Sequence, residues 1–410
     1  MDAVEHEIDQ IYKAQFGRLV ASLLFCSRDI DPETAEDIVH EAFSTALTHW
    51  RENGLPINAK GWLYKVCRNK ALNFLRSYKR HSKFSDSIDA SVEIKFTESL
   101  LDDLPLTLLF ACAHPDLSPK SQVVITLKYV LNFKVEAIAK ILGMTIDGID
   151  KLLLRARQKI KDDRIILEEP DAKAFNKRLP IVHKILYLLF NEGYKSSWGK
   201  EVVREDLCDE ALTMTKLLIE SPFGNKDTAA LFSLMLFNSA RFKSRFSMDG
   251  DLLDLKNQDR SLWEKDLIAL GCEYLRRSQS DDISAYHIEA SIACLHCTAK
   301  TFEETDWKTI GDLYLRLLND NPNPFIELNY AIALYYCGRK KEAFDMLDSL
   351  HGHAFFSQYY LLNTTLGKFY HLEGNDELAI KYLSKAIKQT NFIDEQRFIK
   401  RMMDGIEFRI

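Results

Sequence analysis

The sequence predicts an all-α protein of several domains, and three observations carry that expectation. Only 16 glycines and 10 prolines are spread over 410 residues, which leaves room for much helix and few tight turns. Apolar side chains recur at helical spacing along most of the chain. Near the end, Gly338 and Ala343 are repeated 36 residues later by Gly374 and Ala379, a period close to that of stacked helical hairpins. A chain this long exceeds one ordinary domain, and two to four are expected.

The first segment, from about Val4 to Lys83, reads as helices interrupted at Asp29 to Pro32 and at Asn53 to Pro56. Asp31 or Thr34 can cap a helix whose Ala35, Ile38, Val39, Ala42, Phe43 and Ala46 form one apolar face. Glu36, Asp37, His40 and Glu41 then point elsewhere, with Asp37 and Glu41 four apart on a common face. A second helix follows, with Trp62, Leu63, Val66, Ala71, Leu72 and Leu75 inward and a basic exterior. Residues 59–84 hold eight Lys or Arg and no Asp or Glu, the pattern of a surface that meets a polyanion. Trp62 and Phe74 read as core rather than as stacking platforms.

Charge reverses in residues 85–103, where Asp86, Asp89, Glu93, Glu98, Asp102 and Asp103 face one lysine, Lys95. This is read as an acidic linker. Residues 104–165 then end in a helix-turn-helix pattern: Ala139 where the helices cross, Gly143 in the turn and Ile149 as the aliphatic anchor. Lys151, Arg155, Arg157, Lys159 and Lys161 decorate the second helix. Gly148 costs that helix about 1 kcal/mol relative to alanine, and Asp147 and Asp150 repel phosphates unless they read base amino groups.

Past Glu168-Glu169-Pro170 the chain turns to aromatic-rich helices without a basic stripe, so residues 172–410 are read as a separate module. Gly367, Tyr370, Gly374, Ala379 and Ala386 fit the small and aromatic positions of a tetratricopeptide hairpin. Cys294 and Cys297, with His287 and His296 nearby, admit a half zinc site or core packing; a second ligand pair at suitable spacing is missing. No phosphate loop, nucleophile elbow or metal-ligand set argues for catalysis, so a binding protein rather than an enzyme is expected, with no metal and no cofactor. The apolar runs are too short to cross a bilayer, and the start carries Asp2, Glu5, Glu7 and Asp9 where a secretory signal needs a basic start followed by an apolar core. A cytoplasmic protein is expected.

Pro32-Glu33-Thr34-Ala35-Glu36-Asp37-Ile38-Val39-His40-Glu41-Ala42-Phe43 resembles the polymerase-binding helix of extracytoplasmic-function sigma factors. Gly61 to Val66 and Asn73 to Arg76 resemble their minus-ten-reading region, and Leu152 to Ile160 the end of their minus-thirty-five-reading helix. Leu186 to Tyr194, Asn257 to Trp263 and Thr305 to Trp307 are similar to segments of the subgroup with a TPR-like C-terminal extension, so nearly the whole chain is covered. The resemblance implies sigma region 2 over residues 1–84, the linker, sigma region 4 over 104–165 and the extension over 172–410. It implies core RNA polymerase and promoter DNA as partners and leaves a protein or peptide partner for the extension. Glu36, Asp37 and Glu41 are then the polymerase-binding candidates. Arg68, Asn69, Lys70, Asn73, Arg76, Lys79 and Arg80 are candidates at the minus-ten element; Thr145, Lys151, Arg155, Arg157 and Lys159 are those at minus thirty-five. The acidic linker either passes through a basic polymerase channel or is a flexible tether. A DGD-type segment, here Asp249-Gly250-Asp251, is also implied by the resemblance; the residues by themselves read as a turn. A one-component helix-turn-helix regulator and a TPR adaptor are the competing functions.

Overall fold

The computed structural model describes residues 3–26, 29–81, 104–163, 165, 172–195, 203–353 and 356–407. Its regular structure is helical, with one isolated antiparallel bridge between Phe246 and Leu252 among the described residues. Two compact units result, one of residues 1–192 with 216–223 and one of 193–215 with 224–410. The acidic linker of residues 85–103 lies outside the described residues.

The first unit begins with α1 (Ala3–Cys26), α2 (Pro32–Asn53) and α3 (Ala59–His81), packed on one another. Of the two capping candidates, Asp31 starts α2: its carboxylate accepts from the Thr34 amide at 2.9 Å, and Pro32 occupies the first turn, where a missing N–H costs nothing. The predicted face of α2 is buried and extended by Trp50. The helix stops at Gly54, whose φ of 79° lies where a side chain would be strained. Leu63, Tyr64, Cys67, Ala71 and Leu75 are the buried side of α3. Trp62 is half-buried and meets Trp50 edge to face at 5.3 Å. Burial pushes the Cys67 thiol up to about 12, which makes it a packing group.

The same unit continues through α4 (Leu104–Cys112), α5 (Pro119–Ile125), a π-helical turn (Thr126–Val130), α6 (Val135–Ile141) and α7 (Ile146–Asp162). Helices α6 and α7 form the helix-turn-helix. Ala139 and Ile149 are buried, and Gly143 has a φ of 62° in the turn between them. Ile149, Leu153, Ala156 and Ile160 are the buried stripe of α7, at the spacing of one helical face. The next helix, α8 (Ala172–Tyr194), belongs to this unit as far as residue 192. Phe175 packs on Phe110 with ring centroids 4.5 Å apart, and Arg178 donates to the Phe110 carbonyl at 2.9 Å. These contacts attach α8 to α4, and most of α8 falls in the first unit, while a reading by composition starts the extension at 172.

The second unit holds most of α9 (Glu205–Glu220), then α10 (Lys226–Ser239), α11 (Lys265–Arg277), α12 (Ala285–Thr298) and α13 (Trp307–Asp320). Two hairpins follow, α14 (Pro324–Tyr336) with α15 (Lys340–Leu350) and α16 (Tyr360–Leu372) with α17 (Asp376–Ala386), and then α18 (Ile393–Glu407). Both members of the 36-residue repeat form. Gly338 and Gly374 turn the hairpins at φ of 94° and 78°, and Ala343 and Ala379 are fully buried. A Cβ on Gly367 would stand 2.7 Å from Leu383 Cγ, so α16 and α17 approach as only glycine permits. Tyr335 stacks on Phe369 at 3.7 Å and joins the two hairpins in one core.

The cysteines and histidines of α12 face different neighbours. Cys294 lies 3.9 Å from Cys272, and Cys297 donates to the Phe237 carbonyl at 3.5 Å. His287 joins Ser284 in a capping box and reaches the Ser278 carbonyl at 2.8 Å. His296 packs edge-on to Trp307, and burial, aided by Arg241 and Arg260, pushes its pKa down to about 3. Among the described residues no three metal-ligating groups converge. Asp249-Gly250-Asp251 does form a turn, with the Gly250 amide on the Ser247 carbonyl at 2.9 Å. Asp251 adds ion pairs to Arg397 at 3.4 Å and Arg401 at 3.1 Å, which fasten the turn to α18.

Candidate nucleic-acid interface

Two basic helices of the first unit carry the candidates, and they present them differently. On α3 the side chains of Lys65, Arg68, Asn69 and Arg76 are exposed at helical spacing and share its outer face. The helix contains no carboxylate. Lys60, Lys65 and Arg68 have no ion-pair partner among the described residues. Lys65 and Arg68 thus stand as unneutralised donors beside Asn69, suited to a phosphate backbone. Lys79 and Arg80 continue α3, and their side chains lie outside the described residues.

Lys70 and Asn73 occupy the flank of α3 that turns toward α2. There, with Phe74, they line an open groove of about 440 Å³ whose other wall is Thr34, Asp37, Ile38 and Glu41. Lys70 is tied to Glu41 at 3.0 Å. Asp37 and Glu41 do share a face, as their spacing predicts, and it is this groove. Glu36 sits elsewhere, half-buried and 3.6 Å from Arg157 of α7. The three carboxylates expected to meet polymerase are therefore divided between two faces of α2.

The helix-turn-helix cations are mostly engaged within the chain. Thr145 caps α7 by accepting from the Gly148 amide at 3.1 Å, so its hydroxyl serves the helix start. Gly148 leaves space for that hydroxyl, which an added Cβ would meet at 3.0 Å. Lys151 pairs with Asp147 at 2.7 Å, and Lys159 pairs with Asp163. Arg157 donates to the Tyr129 hydroxyl at 2.5 Å, and Lys161 approaches Asp31 at 3.4 Å. Among the described residues, Arg155 is the exposed cation of α7 that lacks such a pair.

Local electrostatics follow these contacts. Burial opposes the Arg157 charge, but Tyr129 and Glu36 outweigh it and leave its pKa raised. Burial likewise works against the Asp31 carboxylate, and hydrogen bonds from Thr34 together with Lys161 hold it below its ordinary range. Sequence reading did not find Tyr129 as a partner of Arg157, because the two are 28 residues apart and only the fold joins them.

Known proteins follow the same division. Residues 14–81 match the sigma-70 region 2 family, residues 107–160 the sigma-70 region 4 family, and residues 178–279 a family of unknown function, DUF6596. An uncharacterized protein of Rhizobium meliloti (strain 1021) is 32% identical over 324 residues, 77% of this chain and 76% of its own length. The ECF RNA polymerase sigma factor SigM of Bacillus subtilis (strain 168) is 24% identical over 154 residues, 38% of this chain and 93% of its own. No solved structure matches.

With a helix-turn-helix in the region 4 match and a basic three-helix body in the region 2 match, the chain belongs to the sigma-70 family of DNA-binding transcription factors. Within that family it is a sigma factor of the extracytoplasmic-function type with a helical C-terminal extension. No described helix is long and apolar enough to cross a membrane.

Proposed function

We propose that this chain is a dissociable promoter-specificity subunit that acts in the cytoplasm, takes core polymerase through α2, and reads an opened minus-ten element with α3. The observation that carries this reading is the exposed, carboxylate-free outer face of α3 with Lys65, Arg68, Asn69 and Arg76. An opened strand offers phosphates and unstacked base edges, and that face offers cations beside an amide that can read a base. Asp37 and the groove between α2 and α3 supply carboxylates to a basic polymerase surface. Arg155 provides the upstream duplex contact of α7. The extension regulates these activities and takes a protein or peptide partner on its hairpin stack, since stacked hairpins expose extended concave surfaces.

The test is to combine the purified chain with sigma-free core polymerase and genomic template fragments. Transcripts with defined start sites, absent without the chain, are the expected result. Binding to upstream duplex with no added transcript would instead mark a one-component regulator.

A further inference from the structure

The segment around Asp249-Gly250-Asp251 is held to α16 and α18 by charge rather than by the core. Asp251 pairs with Arg397 at 3.4 Å and with Arg401 at 3.1 Å, and Arg401 also donates to the Leu252 carbonyl at 3.3 Å. Three residues on, Asp254 is paired with Lys368 of α16. From Phe246 to Asn257 no side chain is fully buried, and Met248 at the tip stands wholly in solvent. The turn closes on itself: the Ser247 amide donates to the Asp251 carbonyl at 2.8 Å, and the Asp251 amide to the Ser247 hydroxyl at 3.1 Å. It is thus a short acidic loop with its own shape, seated on three cations of the second unit.

We propose that Lys368, Arg397 and Arg401 form a carboxylate-binding site of the extension, which the chain's own Asp251 and Asp254 occupy until an acidic peptide segment of a partner protein replaces them. The inference deepens the reading under Proposed function that the extension takes a protein or peptide partner, and it states the chemistry of that partner: two carboxylates at the spacing of Asp251 and Asp254. Arginines suit such a ligand because their planar donors take a carboxylate in pairs. Both arginines stay accessible, with side chains 50% and 44% exposed. Burial opposes the Lys368 charge, but Asp254 and Tyr336 outweigh it and leave its pKa raised, so the site keeps its third cation. A loop anchored in the core could leave only by unfolding its surroundings. Ion pairs that remain part-exposed are individually weak, so this loop can be exchanged. Its tether gives it an effective concentration on the order of millimolar, which an incoming peptide must exceed.

The experiment is a variant cycle in the full chain, read by fluorescence anisotropy at low salt. The probe is a labelled synthetic peptide of residues 246–255, and its control carries asparagine at both aspartates. Asparagine keeps the acceptor by which Asp254 holds the Asn257 amide at 3.1 Å, so Asp251→Asn with Asp254→Asn should leave the fold intact, which circular dichroism checks. This emptied chain should bind the acidic peptide about tenfold or more tightly than the native chain does and should ignore the control. Adding Arg397→Gln with Arg401→Gln should abolish the gain. Equal binding by native and emptied chains, or a gain that survives loss of both arginines, would overturn the site. The native chain supplies a second test that needs no variant. Hydrogen exchange at the bonded amides of Ser247, Gly250, Asp251 and Leu253 should be faster than in α16 and α18. Exchange as slow as in those helices would make the loop a permanent part of the fold and defeat the proposal. Neither test uses polymerase or DNA, so absence of specific transcripts would defeat the sigma reading alone, and failed peptide exchange beside normal transcripts would defeat this site alone.

Discussion

Helices α3 and α7 are both rich in lysine and arginine, yet among the described residues Lys65 and Arg68 on the outer face of α3 have no ion-pair partner, while α7 neutralises nearly all of its cations. The contrast shows why a count of basic residues is a poor measure of a nucleic-acid surface. Net field depends on which carboxylates the fold places beside each cation. On α3 no acidic residue lies in the helix itself, and Lys70 finds Glu41 on the flank toward α2, away from the outer face. On α7 the interleaved Asp147 and Asp163, and the more distant Asp31 and Glu36, cancel it locally, with Arg155 left to act.

The largest effect that can break this comparison comes from α3. Lys65→Gln with Arg68→Gln should lower promoter-specific transcription about tenfold to a hundredfold and flatten the salt dependence by about one to two counterions. Little change would mean that the free cations of α3 are ordinary solvated charges. Next in size is the support that α8 gives α4 in the half of the unit that carries α7: Phe175→Ala removes the ring against Phe110 and should cost about 3 kcal/mol. Faster hydrogen exchange confined to α4 through α8, with α3 unchanged, would sharpen the comparison. Arg155→Gln should weaken upstream duplex binding by about 1 to 2 kcal/mol, roughly tenfold. The smallest effect is Asp147→Asn, which frees Lys151 and should tighten duplex binding about twofold at low salt, as expected for an exposed pair. No gain there would show that Lys151 is not directed at DNA.

Local features were legible in the sequence because short spacing determines them. The apolar face of α2 and the Ala139, Gly143 and Ile149 pattern emerged as read, and so did the second hairpin, announced by Gly374 and Ala379. Long-range pairings were not legible. Lys70 meets Glu41 across 29 residues, and nothing in the order of residues says that one candidate for DNA will pair with one candidate for polymerase. The attachment of α8 to α4 was hidden for the same reason: Arg178 reaches a backbone carbonyl 68 residues away, and a carbonyl carries no residue signature. For Asp249-Gly250-Asp251 the turn was legible from residue type, while the engagement of Asp251 by Arg397 and Arg401 required the packing of α18.

The central claim is that α3 and α7 serve separate promoter elements from one chain. It is tested most directly by assembling holoenzyme with the Arg155→Gln variant and measuring transcription from two templates, a complete promoter and one lacking any upstream element. The account predicts a loss of about tenfold on the complete promoter and no loss on the truncated one. Equal loss on both templates would contradict it.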